Sequence, residues 1–283
     1  MSTAGPATSG HGGAMSRAAY DQVEAVNWSR LKEMRKSALH FKHALEADPA
    51  DTGPMRLGRA VHTAVLEPEL LDESIAVWKS RRQGKAWEEF ERQAVESDRT
   101  VLTQEQYECA LAIRDSVRSH PLVSPYLAAG SAEHSLTWTD PRGFNMKARI
   151  DWVTDGVILD LKTSRYAIES RLFASDAYRL GYFHQLAFYQ RGMSAVYGTT
   201  PAALIVAVET AAPYDVAVYR LSSAALAAAS EEIDELLDEL QRATDSGRWR
   251  GRFDTERTLQ IPAWAVPTPD DFDLADPDWI KES

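Results

Sequence analysis

Residues 146–163 read MKARIDWVTDGVILDLKT. Two short apolar-rich runs flank Asp155-Gly156, a dipeptide suited to the two-residue turn of a β-hairpin. With that loop, Thr154 pairs with Val157, and counting outward sets Asp151 directly opposite Asp160. Directly opposed side chains share a face of the sheet, with Cβ atoms about 4.5–5.5 Å apart. Lys162, two residues beyond Asp160, falls on that face as well, while Leu159 and Leu161 point the other way. Two opposed carboxylates destabilise a ladder unless a cation compensates them, and a divalent metal is the obvious candidate. A slip of one residue in the register would send the two Asp side chains to opposite faces.

The chain around this hairpin has 283 residues, 44% of them hydrophobic, enough for one large domain with a real core. Cys109 is the single cysteine, so a four-Cys metal site and an intramolecular disulfide are excluded and a cytosolic setting fits. The first residues, MSTAGPATSGHGGAMSR, lack the apolar core of a signal peptide or anchor, and no apolar run approaches the roughly 18 residues of a membrane span. A formal charge of −11 argues against a general basic coat for nucleic acid, though acidic ligands and an acidic tail can mask a local basic groove.

In chain order, residues 1–19 are rich in Gly, Ser, Ala and Thr and read as disordered. A domain is expected over 20–249. Asn27 or Ser29 caps a first helix, on which His40 and His43 form an i, i+3 pair better suited to an exposed face than to a metal. A second helix runs from about Met55 to Glu67. It contains Gly58 at a cost of about 1 kcal/mol relative to Ala, which points to close approach of another element. His62 lies on the same face. Arg81, Arg82 and Lys85 cluster around Gly84, ahead of a helix carrying Trp87 and Phe90. Such a loop is equally suited to phosphate binding and to plain solvation. A long helix follows from Thr103 or Gln104 to about Ser119, with Cys109 as a small apolar residue.

Strands near 132–138, 145–153 and 157–163 form an antiparallel meander. A helix is expected over about 175–191, ending near Gly192, with Gln185 and Tyr189 on one face. AALIVAVET is a strand buried on both faces, YDVAVYRL its antiparallel neighbour, and a helix over about 223–246 completes the domain. Residues 250–283 form an acidic, Pro-bearing tail. The chain has no GxxxxGK[ST], GxSxG or HExxH motif, so a P-loop ATPase, a serine hydrolase and a zincin lack support.

Asp151 with Asp160-Leu161-Lys162 suits metal-assisted phosphodiester hydrolysis. Two carboxylates, and the Leu161 carbonyl between the site residues, can hold a hard cation such as Mg²⁺. Lys162 can orient water or stabilise developing charge. A lone D-x-K is equally compatible with a salt-bridged surface hairpin. The spacing of these residues resembles the PD-(D/E)xK nuclease signature, with Ile150 in place of its proline. Gly58-Arg59-Ala60-Val61-His62 resembles the upstream GxxxH helix of RecB-type members, and Gln185-Leu186-Ala187-Phe188-Tyr189 their downstream QxxxY helix. Together with AVNWSRLKEMRKSALHFK, LGRAVHTAVLEP, RQGKAWEEF, AEHSLTW and LDLKTS, the set resembles the RecE (exonuclease VIII) nuclease and its phage relatives over about Tyr20–Arg220.

The resemblance implies a mixed α/β, restriction-endonuclease-like core, in which a central mixed sheet with a three-strand meander is flanked by helices. It implies an ATP-independent, Mg²⁺-dependent 5′→3′ exonuclease on linear double-stranded DNA, with Mn²⁺ as a substitute ion. Such an enzyme leaves 3′ overhangs for a RecT-like single-strand annealing partner, works as a homo-oligomeric ring, and acts in a bacterial cytoplasm from a phage or prophage gene. A non-catalytic DNA-end or protein binder, or an endonuclease, are the alternatives. By motif match His62, Asp151 and Asp160 are metal ligands and Lys162 the catalytic lysine. Gln185 and Tyr189 line the DNA side, and Glu133, on the preceding strand, is a further acidic member.

Overall fold

The computed structural model describes residues 10–47, 51–166, 168–253 and 255–262. Its strands are β1 (His11–Ala14), β2 (Ile75–Trp78), β3 (Thr100–Thr103), β4 (Ser131–Thr139), β5 (Asn145–Thr154), β6 (Val157–Ser164), β7 (Ala202–Glu209) and β8 (Val216–Arg220). Its helices are α1 (Arg17–Gln22), α2 (Trp28–Leu31), α3 (Ala38–Glu46), α4 (Gly53–Leu66), α5 (Leu71–Ser74), α6 (Lys85–Glu96), α7 (Gln104–Ser119), α8 (Ser124–Leu127), α9 (Ser170–Leu180), α10 (Tyr182–Tyr197) and α11 (Ser223–Ser246). Six strands form one mixed sheet in the order β1-β4-β5-β6-β7-β8, in which β6 and β7 run parallel and the other neighbours antiparallel. β2 and β3 pair in parallel as a separate small sheet.

Side-chain alternation along the strands feeds two cores, one on each face. Leu136, Trp138, Ile150, Ile158 and Ile205 pack with Leu186 and Phe188 of α10 and with Ile233 and Leu237 of α11. On the opposite face Trp152, Leu159, Leu161, Val206 and Val208 pack with Val61 and Val65 of α4 and with Ala110 and Ile113 of α7. A strand covered on both sides must be apolar nearly throughout. β7 and the first five residues of β6 are buried in that way, with Asp160 the polar exception. The expected architecture is therefore present: a central mixed sheet between helical layers.

The meander, β7, β8, α7 and α11 lie where the sequence patterns put them. α7 opens on a capping box between Thr103 and Gln106. The first helix is broken: Asn27 caps α2, a 3-10 turn follows at Lys32–Arg35, and Ser37 caps α3. The helix expected over 175–191 is two helices, α9 and α10, divided at Gly181 in the left-handed conformation with φ +81°. α10 also runs past Gly192 to Tyr197. Gly192 is not a stop signal there; a Cβ on it would stand 2.8 Å from Trp138, so it is needed for helix–sheet contact. At Gly181 a Cβ would meet Trp28 at 2.8 Å, on top of the positive φ. Gly181→Ala is therefore expected to lose at least about 1–2 kcal/mol of stability, measurable by urea unfolding.

The disordered reading of residues 1–19 is corrected over 10–19. β1 pairs antiparallel with β4 through His11↔Thr137 to Ala14↔His134, and α1 begins at Arg17. Composition misleads here because β1 is held by backbone pairing and close approach, not by apolar side chains; a Cβ on Gly12 would overlap Tyr197 Oη. At the other end, Trp249 stacks on Phe41 at 6.2 Å and the Arg250 carbonyl accepts the Leu39 N–H. Residues 251–253 and 255–262 carry no helix or strand, and the rest of the acidic tail lies outside the described residues.

Candidate functional site

The opening hairpin closes as its sequence dictates, with Gly156 at φ +67° and with Thr154↔Val157, Val153↔Ile158 and Trp152↔Leu159 as partners. The described pairing stops there. Asp151 and Asp160 are thus not ladder partners, which corrects the expected face-to-face pair. β4 keeps its register on β5 across this level, from Ala132↔Trp152 to His134↔Ile150, but Glu133 between them adopts φ +50°. A left-handed conformation is uncommon for a glutamate and marks a constrained position. β5 and β6 part at this level, and side chains fill the opening.

Asp151 Oδ2 accepts the Leu161 N–H at 2.7 Å. His62, on α4, places Nε2 3.0 Å from the Leu161 carbonyl. A carbonyl can only accept, so Nε2 carries the proton and Nδ1 keeps a free lone pair, 3.6 Å from Asp151 Oδ2. Burial, with Lys162 nearby, lowers the His62 pKa and keeps the ring neutral, the form that binds metals. The Leu161 carbonyl, expected as a metal ligand, here orients the histidine.

Asp160 is fully buried. Lys162 Nζ stands 2.7 Å from its Oδ2 as an ion pair, while Oδ1 has no hydrogen-bond partner among the described residues. Lys162 also donates to Gln185 Oε1 at 3.1 Å, and Gln185 Nε2 donates to the Tyr189 hydroxyl at 2.7 Å. Tyr182, from the same helix, presents its ring 4.8 Å from Lys162 Nζ. Gln185 and Tyr189, expected to line the DNA side, do line the cleft, and they also form a relay that fixes the ammonium.

Burial pushes the Asp151 carboxyl up to about 7 and the Asp160 carboxyl up to about 6, in both cases against the opposing pull of Lys162. For Lys162, burial works against the charge, but Asp160 and Asp151 outweigh it and hold the ammonium above its usual range. The group is short of positive charge, and two observations fit a hard divalent cation. One is the buried Asp160 carboxylate, whose Oδ1 has no partner among the described residues. The other is that one ligand atom each from His62, Glu133 and Asp151 lie within 4.8 Å of one another. Asp160 is not one of those three and pairs with Lys162. Glu133 is not idle either: its carboxylate is paired with the Arg149 guanidinium, which also donates to the Met15 carbonyl at 3.1 Å.

The site opens into a cleft of about 1410 Å³ between α4, the β2–α6 region, the start of the chain and the splayed sheet; His62, Glu133, Asp151, Lys162 and Gln185 line it. The basic loop cluster divides. Arg82 lines the cleft with its guanidinium 5.2 Å from the Trp87 ring, whereas Arg81 and Lys85 are exposed and outside the lining. His40 and His43 are exposed, and His40 bonds Ser37 Oγ at 2.7 Å. Sequence reading missed Arg149 and Tyr182. The first was findable, two residues from Asp151 on one strand; the second lies i−3 from Gln185 on a helix whose start was misplaced.

A family model described as a PDDEXK-like domain of unknown function (DUF3799) matches residues 27–255. Among solved structures, one from Eubacterium rectale named "Putative exonuclease" is similar at a TM-score of 0.62 and 15% identity, covering 88% of this chain and 96% of that chain. That likeness concerns the fold. A second, SSO0001, reaches a TM-score of 0.27 at 15% identity, covering 74% and 85% of the two chains, and carries no weight. No curated protein matches the chain.

Proposed function

Because the chain belongs to the PDDEXK-like family DUF3799, we propose that it is a Mg²⁺-dependent deoxyribonuclease that degrades linear double-stranded DNA without ATP. The observation that carries this reading is Asp160. A fully buried carboxylate whose Oδ1 has no partner among the described residues, and whose Oδ2 meets the Lys162 ammonium at 2.7 Å beside the cleft, is costly in a merely structural hairpin. Asp151, Asp160 and Lys162 correspond to the acids and lysine for which such domains are named.

His62 through Nδ1, with Glu133, Asp151 and Asp160, would hold the cation. When bound, a divalent ion polarises the phosphoryl oxygen and supplies hydroxide from water near neutral pH. Lys162 presents its ammonium to the charge that develops on the phosphate, fixed in place by Gln185. Arg82 at the cleft wall, with Gln185 and Tyr189, meets the DNA backbone. Arg149 keeps Glu133 turned toward the group.

The order of the RecE-like motifs supports the finer assignments: 5′→3′ direction, 3′ overhangs handed to a single-strand annealing protein, Mn²⁺ as substitute for Mg²⁺, a ring-shaped homo-oligomer, and a bacterial cytoplasmic setting of phage origin. Among the described residues, no helix is long and apolar enough to cross a membrane.

The test is digestion of 5′- and 3′-end-labelled linear duplex beside a closed circle. Label release from the 5′ ends, full loss in EDTA and survival of the circle are expected. Equal cutting of the circle would replace the exonuclease with an endonuclease, and metal-independent binding without cleavage would make the chain a DNA-end binder. Gln185→Ala should lower kcat by about 10–100-fold, more than it raises KM, since it orients Lys162 besides facing the DNA; a KM effect of that size without a kcat effect would contradict the relay.

A further inference from the structure

Gly58 lies in the middle of α4, a 14-residue helix where glycine is the poorest ordinary helix former. The sequence suggested that a neighbouring element approaches it. None does: within 4 Å of the place a Gly58 Cβ would occupy there is no atom beyond the adjoining turns of its own helix, whereas a Cβ on Gly192 in α10 would stand 2.8 Å from Trp138. Nothing inside the described chain asks for a glycine at 58.

The outside does. Gly58 lines the cleft together with His62, Arg59 and Arg82. It sits four residues N-terminal to His62 on one helix face, about 6 Å away along the axis. That is the place of a neighbouring nucleotide, not of the reacting one. Glycine is the residue that lets a backbone come close to a ligand.

We infer that Gly58 is a substrate-approach position: the missing side chain lets the sugar–phosphate backbone of a bound nucleic-acid strand lie against α4 one turn from the metal group. This deepens, and rests on, the nuclease reading. Gly58 touches none of the candidate ligands, and its replacement is a steric change in the cleft alone. Arg59, already paired with Asp51 at 2.6 Å, and Arg82 supply positive charge along the same wall.

The experiment compares the full-length wild type with Gly58→Ala and Gly58→Leu. The probes are a fluorescein-labelled linear duplex for binding in EDTA and for hydrolysis in Mg²⁺, and Mn²⁺ alone for a melting shift. Gly58→Ala should melt about 2–4 °C higher, as expected for alanine in an open helix interior, yet raise KM about threefold. Gly58→Leu should raise KM and the duplex Kd at least about tenfold, with an unchanged Mn²⁺ melting shift in both variants. Wild-type KM and Kd in Gly58→Leu, with the wild type active, would overturn this inference and leave the nuclease reading standing. A lowered melting temperature in Gly58→Ala would also overturn it, since it would reveal an internal role. A wild type that neither binds nor cuts the duplex would take down both.

Discussion

Asp160→Asn is expected to lower kcat on linear duplex by about 10³-fold while leaving the melting temperature of the metal-free protein equal or higher. Both halves follow from one side chain. The carboxylate is fully buried with the Lys162 ammonium 2.7 Å from Oδ2, and burial still raises its pKa to about 6. Its raised pKa means that the fold disfavours the ionised form even with Lys162 beside it, so at neutral pH an amide removes that cost. Lys162 then loses its nearest anion, but it keeps Gln185 and Asp151 in its neighbourhood. A cation-binding role needs the full negative charge, which the amide lacks. Thermal unfolding in EDTA beside steady-state kinetics in Mg²⁺ separates the two effects. A variant that loses activity because it unfolds would point to a structural hairpin instead.

The second large effect is a stability that depends jointly on pH and metal. Asp151 titrates at about 7 and Asp160 at about 6 in the fold, both above the ordinary value of 3.8. Between those limits the native state binds more protons than the unfolded chain. Unfolding free energy therefore falls as pH rises, with the contribution complete below about pH 4 and gone above about pH 7. For two coupled groups the loss is a few kcal/mol in order of magnitude. Binding a divalent ion to the native state restores about 2.7 kcal/mol at a hundredfold excess over Kd. The ion needs ionised carboxylates, so its melting shift should be large at pH 7.5 and nearly absent at pH 5. An equal Mg²⁺ shift at both pH values, or a metal-free protein that gains stability between pH 5 and 7, would show that these carboxylates are not the ligands.

The residues that folded as read are those whose pattern is local. Asp155-Gly156 with its flanking runs marks the hairpin, the continuous apolar run marks β7, and the Ala-, Leu- and Glu-rich composition marks α11. The misreadings share a different cause. Gly181 divides two helices because Trp28 packs against it from 153 positions earlier in the chain, a contact no local pattern encodes. β1 is held by backbone pairing to a strand over a hundred residues away, so its Gly-rich composition looked like disorder. The parting of β5 from β6 was hidden for the same reason: counting register assumes that a ladder continues, while here Asp151 leaves it to bond the Leu161 amide. Grouping His62, Asp151, Asp160 and Lys162 was possible from spacing and motif order. Deciding that Leu161 orients His62, that Glu133 faces His62 and Asp151, and that Gln185 reaches Lys162 required coordinates.

The most direct measurement is release of acid-soluble nucleotides from a linear duplex by the purified full-length chain, in Mg²⁺ and in EDTA, beside Asp160→Asn and Lys162→Ala. A metal-dependent nuclease built on this group releases nucleotides only as wild type and only with the ion. Equal release in EDTA, or release by either variant at the wild-type rate, would contradict it.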